Sequence, residues 1–264
     1  QEDREKNNIP DKIVIPKGVI LKNKAQIEGI RKSCSLTKEI LDKLDNIIKP
    51  DITTNDINEF VHEYTTRKGA IPAPLNYNGF PKSVCTSINN VICHGIPDNT
   101  KLQEGDIINI DVTTILDGYY GDASRMYSIG SISPLAKLLT KVAKECLEIG
   151  IEKVIPFRDI GEIGHSIEQH ATKNGFSVVR DYGGHGIGVK FHEEPHVHHY
   201  GSRKRNIMMI PGMTFTIEPM INSGKYESRL LADNWTAVTA DGSLSAQWEH
   251  TILVTESGAD VLTG

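Results

Sequence analysis

The hydrophobic positions in the first half of the chain follow two helical repeats and then an alternating pattern. Apolar residues at helical spacing predict the first helix, and Thr53 followed three residues later by Asp56, a typical helix start, predicts the second. Alternation of apolar and polar residues on both sides of Asp117-Gly118 predicts a hairpin. The predicted elements are a polar arm, two helices, an irregular segment and the hairpin, over residues 1–23, 24–48, 53–69, 70–98 and 105–130.

The second half repeats this order, with two predicted helices followed by strands. Ser133 before Pro134 is a favoured helix start, and Arg158-Asp159 opens the next helix. These helices are predicted to end at Gly150 and near Gly175, and the strands cover 177–181, 213–222 and 246–254. Because no low-complexity linker separates the halves, we expect one α+β domain over residues 24–264, with pseudo-repeat halves at about 24–130 and 131–264.

Charge and composition exclude two classes of protein. Lys and Arg total 29 and Asp and Glu total 34, a formal net charge of −5, so binding of nucleic acid through excess positive charge is not expected. The chain contains no run of about 18 apolar residues, so a membrane-spanning helix is not expected. The four cysteines form no C-x-x-C pair and are predicted to be buried, reduced thiols. Residues 1–8 lack an apolar signal segment, so we expect a cytoplasmic protein, or an organellar one if an extension was removed.

The predicted hairpin brings two aspartates close together. A two-residue turn at Asp117-Gly118 pairs Thr113 with Asp122 and Asp111 with Ser124. Asp111 and Asp122 then lie diagonally on one face, with Cβ atoms about 7 Å apart. Two carboxylates beside a core need a compensating charge, and a shared divalent cation supplies one. An exposed hairpin face with two ordinary surface aspartates explains this pattern equally well.

Two predicted strands downstream add carboxylates that favour the metal interpretation. Glu218 follows Phe215 and Ile217 on the opposite face, and Glu249 lies among apolar residues of the last strand. Glu is depleted in strands, so four acids placed in strands opposite apolar faces form a constellation. Carboxylate oxygens with one imidazole suit Mn, Fe, Co or Zn, and two ions bridged by carboxylates are a known hydrolytic arrangement.

The histidine-rich region contains one misleading motif and one candidate ligand. Residues 192–196 match the letters of the H-E-x-x-H zinc motif, but Pro195 is incompatible with the continuous helix that this motif needs. Residues 183–188 lack the spacing of a phosphate-binding loop. His185 lies between glycines that allow close backbone approach, and beside four carboxylates it becomes a candidate metal ligand. Three further histidines are expected at the surface: His196, His198 and His199.

The motifs around these acids and histidines resemble those of type I methionine aminopeptidase. The similarity covers about residues 20–262, in the segments 77–85, 91–97, 109–112, 121–124, 184–188, 191–195, 211–219 and 245–251. It implies the pita-bread fold, a duplicated αβ arrangement with antiparallel sheet around a dinuclear metal site. It also implies a metal-dependent aminopeptidase that removes the initiator Met from nascent polypeptides with a small second residue.

By this resemblance, five residues hold two divalent ions. Asp111 chelates one ion, Asp122 and Glu249 bridge both, and His185 and Glu218 complete the other. Glu218 also serves as general base and proton shuttle. Ligand chemistry alone leaves Co, Mn, Fe and Zn open as the metal.

The resemblance also implies substrate-binding residues. His94 matches the residue that meets the substrate N-terminus, and His192 the one that hydrogen-bonds the scissile amide and the developing oxyanion. The side-chain pocket for Met is expected to have walls from Tyr77, Phe80, Cys85, Phe191 and Trp235. Pro74 and Phe80 differ from residues frequent in this family, which we expect to alter inhibitor selectivity more than the preference for Met.

Two other functions remain alternatives at this stage. Xaa-Pro aminopeptidases and prolidases share the fold and ligands, although they usually carry a separate N-terminal domain that 23 residues cannot form. A binding module that has lost its metals is the second alternative, and the five filled ligand positions argue against it. The expected partner is the N-terminal Met of nascent peptides, with ribosome association left open and a monomer as the default state.

Overall fold

The computed structural model of the protein describes residues 9–10, 12–201 and 203–264. Much of the predicted polar arm, residues 1–8 and 11, lies outside the described residues. Lys22, near the end of that arm, has a buried side chain, whereas a polar arm would be expected to expose its lysines to solvent. Among the described residues, no helix has both the length and the apolar character that crossing a bilayer requires.

The first half of the chain forms the predicted helix pair and hairpin. The Asn23 side chain caps the first helix and the Thr53 side chain caps the second, each in a capping box. The first helix ends four residues earlier than predicted, because residues 45–47 form turns. The elements are α1 Lys24–Leu44, α2 Thr54–Arg67, β1 Ile71–Pro72, β2 Cys85–Ile88, β3 Val91–Cys93, β4 Ile107–Leu116 and β5 Tyr119–Ser128.

The hairpin register is as predicted. In the antiparallel β4–β5 pair, Thr113 lies opposite Asp122 and Asp111 lies opposite Ser124. The two-residue turn between the strands includes Asp117 with φ of 51°. This left-handed conformation is typical of hairpin turns and fixes the pairing.

The second half begins with a helix capped by Ser133 and repeats the order of two helices followed by strands. Two predicted strands are each divided, the first at Glu218 and the second at Trp248 and Glu249. Pro219 cannot donate to a ladder hydrogen bond, which explains the first division. The elements are α3 Pro134–Glu152, α4 Gly161–Lys173, β6 Ser177–Val178, β7 Gly184–Gly186, β8 Glu193–Val197, β9 Thr214–Ile217, β10 Met220–Asn222, β11 Ser228–Leu230, β12 Ala237–Thr239, β13 Ser245–Gln247, β14 His250–Thr255 and β15 Gly258–Val261.

The strands form antiparallel sheets on which the helix pairs pack. In the first half, β4 pairs with β1, β2 and β5; in the second, the order is β15-β14-β9-β7-β8. Shorter sheets run β13-β10-β6 and β11-β12-β3, and the latter joins strands of both halves. One apolar core lies between α1, α2 and the hairpin, and another surrounds α3, α4 and β9. All four cysteines are buried and free, which confirms that prediction.

Close packing of α1 on the hairpin depends on a glycine next to Asp122. A Cβ atom at Gly121 would lie 2.5 Å from the backbone nitrogen of Cys34. Only glycine allows this approach. The helix therefore fixes the strand segment that carries Asp122.

Candidate active site

The inner face of the β4–β5 hairpin carries Asp111 and Asp122. Asp122 is buried and accepts a 2.8 Å hydrogen bond from the Thr113 hydroxyl. Its backbone is held by Thr251, whose hydroxyl donates to the Asp122 carbonyl at 2.7 Å. The alternative of an exposed hairpin face is therefore wrong, since this face points into the protein.

Glu218 and Glu249 lie where the two predicted strands are divided. Glu249 leaves the ladder of its own strand and pairs with Ser124 of the hairpin, with its N–H donating to the Ser124 carbonyl at 3.2 Å. The Glu218 carboxylate accepts from the Thr216 hydroxyl at 2.7 Å and from the Gln247 amide at 3.1 Å. The pairing of Glu249 with Ser124 thus brings an acid of the second half to the hairpin of the first, and the Gln247 contact orients Glu218.

His185 completes the cluster from β7. Its Nδ1 donates to the Gly186 carbonyl at 2.9 Å, so Nε2 carries the free lone pair. That Nε2 lies 3.7 Å from Oδ2 of Asp122 and 3.6 Å from Oε1 of Glu218. A backbone acceptor on one ring nitrogen is a typical arrangement for a histidine whose other nitrogen binds metal.

Burial and mutual repulsion oppose ionisation of the four carboxyl groups. Burial raises the pKa of Asp111 to about 6 and that of Glu218 to about 8. Burial together with neighbouring carboxylates holds the pKa of Asp122 and of Glu249 well above the ordinary value. Burial also lowers the pKa of His185 to about 3, which keeps this imidazole neutral. The cluster lacks a compensating positive charge from its own side chains.

The donor set fits divalent metal. Oδ1 of Asp111 and Oε2 of Glu249 are buried without a hydrogen-bond partner. Among the described residues, the ion pairs bring His185 but no lysine or arginine to these carboxylates. Ligand atoms of Asp122, His185 and Glu249 all lie within 4.8 Å of one another. Hard and borderline cations take such oxygen and imidazole ligands.

The carboxylates line a cavity of about 340 Å³ whose other walls are mostly aromatic. The Phe80 and Trp235 rings meet edge to face with centroids 5.2 Å apart, and the Tyr77 and Phe191 rings are 4.7 Å apart. The structure thus brings the predicted side-chain pocket next to the predicted ligands. The lining comprises Pro74, Tyr77, Asn78, Phe80, Cys85, His94, Asp111, Thr113, Asp122, Phe191, His192, Glu218, Trp235 and Glu249.

The two remaining predicted histidines lie in the same cavity. Nδ1 of His192 is 2.8 Å from the Tyr77 hydroxyl, and its ring centroid is 4.1 Å from that of His185. His94 packs edge to face against Tyr182 and Trp235. Burial lowers the pKa of His94, which favours its neutral form. Residues 193–196 lie in strand β8 and His192 lies in a bend before it, so no helix contains the H-E-x-x-H motif and the match is indeed incidental.

The prediction that His199 lies at the surface is wrong, and the contact of Gln247 with Glu218 was not predicted. His199 is fully buried, and its Nε2 accepts the backbone N–H of Glu218 at 3.1 Å. Three histidines within four residues, separated by only one apolar residue, resemble an exposed segment, and this pattern gives no indication of the contact between His199 and Glu218. Gln247 shares a strand face with Glu249 in the sequence, and that alternation could have identified it.

Comparisons with known proteins agree with this geometry. The model of metallopeptidase family M24 matches residues 28–256. Methionine aminopeptidase A of Synechocystis sp. is 54% identical over 246 residues, which are 93% of this chain and 97% of that protein. The chain belongs to the methionine aminopeptidases of family M24. It is therefore a metallopeptidase, a class of enzyme that works with divalent metal ions.

Solved structures of family members confirm the pita-bread fold. The crystal structure of methionine aminopeptidase from Rickettsia prowazekii has a TM-score of 0.92 and 48% identity, and the match covers 93% of this chain and 100% of that one. The prolidase from Pyrococcus horikoshii has a TM-score of 0.72 at 21% identity, covering 93% of this chain and 63% of that one. The prolidase similarity shows a shared fold and nothing more.

Proposed function

We propose that the chain hydrolyses the first peptide bond of polypeptides that begin with Met and have a small second residue. One observation carries this proposal: a single cavity is lined both by four carboxylates, next to which His185 lies, and by aromatic side chains. The first feature suits metal-assisted hydrolysis, and the second suits an unbranched apolar side chain.

We further propose that two divalent ions bind here, held by Asp111, Asp122, His185, Glu218 and Glu249. Four carboxylates provide a charge that two divalent cations balance, and the raised carboxyl pKa values support a need for this compensation. When bound, such ions lower the pKa of a water molecule and polarise a carbonyl group. The metal remains one of Co, Mn, Fe or Zn.

Glu218 is the proposed general base. Each of its carboxylate oxygens is oriented by one donor, the Thr216 hydroxyl or the Gln247 amide. Burial raises the pKa of Glu218 to about 8 in the metal-free protein, and bound cations would favour its ionised form, which can accept a proton from water and pass it to the leaving amine. His199 fixes the backbone of this residue through the Glu218 N–H.

His192 and His94 are the proposed contacts to the reacting peptide. If the Tyr77 hydroxyl donates to Nδ1 of His192, then Nε2 of His192 carries a proton for the scissile amide and the developing oxyanion. Neutral His94 offers a lone pair to the ammonium group of the substrate N-terminus. Both residues line the cavity together with Glu218.

The apolar end of the cavity is the proposed Met subsite. Tyr77, Phe80, Cys85, Phe191 and Trp235 form its walls. The rings pack against one another, so the subsite is largely formed before substrate binds. An unbranched thioether side chain fits between such rings and makes favourable sulfur–aromatic contacts.

Release of Met from the peptide Met-Ala-Ser tests this function. The metal-free protein should be inactive, and Mn²⁺ or Co²⁺ should restore cleavage. The matched control is Glu218→Gln, which keeps the side-chain volume. Cleavage of Ala-Pro-Ala instead would identify an Xaa-Pro peptidase, and a folded protein that binds no Mn²⁺ or Co²⁺ would favour the binding module.

The proposal also covers the oligomeric state of the protein, its location and its association with ribosomes. We expect a monomer that meets nascent peptides in the cytoplasm, and cosedimentation with ribosomes measures whether it associates with them. Elution as a dimer in gel filtration would contradict the monomer.

A further inference from the structure

Residues 19–22, just before α1, pack on the loop that carries His192. Val19 forms a parallel bridge with Glu194, the second residue after His192. The Lys22 N–H donates to the Gly212 carbonyl at 2.9 Å, which fixes this short segment against the second half. The end of the predicted arm therefore packs against the segment that follows His192.

Lys22 and Glu193 form a buried ion pair in this contact. Nζ of Lys22 donates to Oε2 of Glu193, and each side chain is only 1% exposed. Burial lowers the pKa of Lys22, whereas Glu193 acts to raise it. A buried pair of this kind depends on both partners, because removing one leaves an uncompensated charge.

Glu193 uses its other carboxylate oxygen inside the loop. Oε1 accepts the backbone N–H of Val189 at 2.7 Å and that of Lys190 at 2.8 Å. The Gly188 N–H donates to the Lys190 carbonyl at 3.1 Å, and Glu193 itself pairs with Gly186 at the base of the loop. The Glu193 side chain thus connects the end of the loop over residues 187–192 to the backbone in the middle of that loop.

We propose that Lys22 and Glu193 are positioning residues that hold His192 in its reactive place. This inference rests on the proposed role of His192 in hydrolysis. Lys22 neutralises the carboxylate, and the carboxylate orders the backbone two and three residues before His192. Neither residue lines the 340 Å³ cavity, so both act through the loop and not by touching substrate.

The test compares Lys22→Met, Glu193→Gln and the double variant in the full-length, Mn²⁺-loaded protein. Each single change leaves one buried charge alone, and we expect kcat on Met-Ala-Ser to fall at least about tenfold. The double variant removes both charges, and the glutamine introduced at position 193 keeps an acceptor for the loop. Its kcat should therefore recover to within about threefold of the wild type. Arg31→Met is the matched control, because it breaks an ion pair with Asp260 that includes no residue of the loop over 187–192.

Two further readouts separate positioning from a merely structural role. In a His192→Ala background, Lys22→Met should change kcat by less than about twofold, because the effect acts through the missing ring. Amide hydrogen exchange at Val189 and Lys190 should accelerate in Lys22→Met and Glu193→Gln but not in Arg31→Met.

Wild-type kcat in both single variants, or the same loss in the His192→Ala background, would overturn the inference. If Lys22→Met does not fold, kcat of Glu193→Gln is compared with kcat of the double variant, and a double variant no faster than Glu193→Gln would overturn the inference. Unchanged amide exchange at Val189 and Lys190 would also contradict it. An inactive wild type would instead contradict the proposed function, and the exchange experiment would still report on the loop.

Discussion

The metal-free protein is expected to be destabilised by Glu218 as the pH rises. The folded state raises the pKa of this group from 4.5 to about 8 because it is buried. A group with a raised folded-state pKa binds more protons when folded than when unfolded. Its contribution to stability is therefore fully present below the unfolded pKa and is lost as the pH rises through the folded pKa.

Replacing Glu218 with Gln removes this titration and allows the size of the effect to be calculated. One pKa unit corresponds to about 1.4 kcal/mol, so Glu218 should cost the wild type about 3 kcal/mol between about pH 5 and pH 7.5. The amide oxygen of the substituted side chain can accept from Thr216 as before. The Gln247 amide can turn its unpartnered Oε1 towards the new NH₂ group.

The assay is unfolding by denaturant of both metal-free proteins across this pH range. The difference in unfolding free energy between Glu218→Gln and the wild type should increase with pH by about 3 kcal/mol, or about 6–12 °C in Tm. Buried histidines with lowered pKa values are present in both proteins. The pKa values of Asp122 and Glu249, which Glu218 helps to raise, should fall in Glu218→Gln, and this changes the difference between the proteins in the same direction. A difference that stays constant or decreases with pH would refute the assignment of a raised pKa to Glu218.

Three further predictions concern the metal-loaded enzyme. Glu218→Gln should lower turnover of Met-Ala-Ser at least about 100-fold with the fold intact by circular dichroism, because the general base is lost; near-normal rates would remove Glu218 from this role. Tyr77→Phe keeps the aromatic wall but loses the contact to His192, so kcat should fall about tenfold with KM nearly constant, and an effect on KM alone would contradict this assignment. Trp235→Ala opens the apolar end of the cavity and should raise KM for Met peptides about tenfold, whereas Leu230→Ala, at a side chain 51% exposed on β11, should not.

Local sequence patterns predicted the elements whose structure depends on local chemistry. The register of the hairpin follows from the two-residue turn at Asp117-Gly118, and from it follows the placement of Asp111 and Asp122 on one face. The helix starts at Thr53 and Ser133 were also found, since capping is a local interaction.

Contacts between distant segments could not be predicted in this way. The division of the last predicted strand at Glu249 depends on its pairing with Ser124, 125 residues earlier by the numbering. The burial of His199 depends on its contact with the Glu218 backbone, and that of Lys22 on Glu193. In each case the sequence shows an ordinary polar residue, and only the tertiary partner makes it part of the site.

Each of the two strand breaks contains an acid of the site, Glu218 or Glu249, and this coincidence has a physical explanation. A regular strand would continue past Glu218 and Glu249 with alternating directions set by its own sheet. Leaving the ladder frees the backbone of Glu249 to pair with Ser124, and Asn109 reinforces the junction by donating to the Gln247 carbonyl at 2.7 Å. The acids of the second half can therefore reach those of the hairpin only when the halves are docked. A cation bound by both sets would stabilise that docking, so metal binding and the packing of the two halves should be thermodynamically linked.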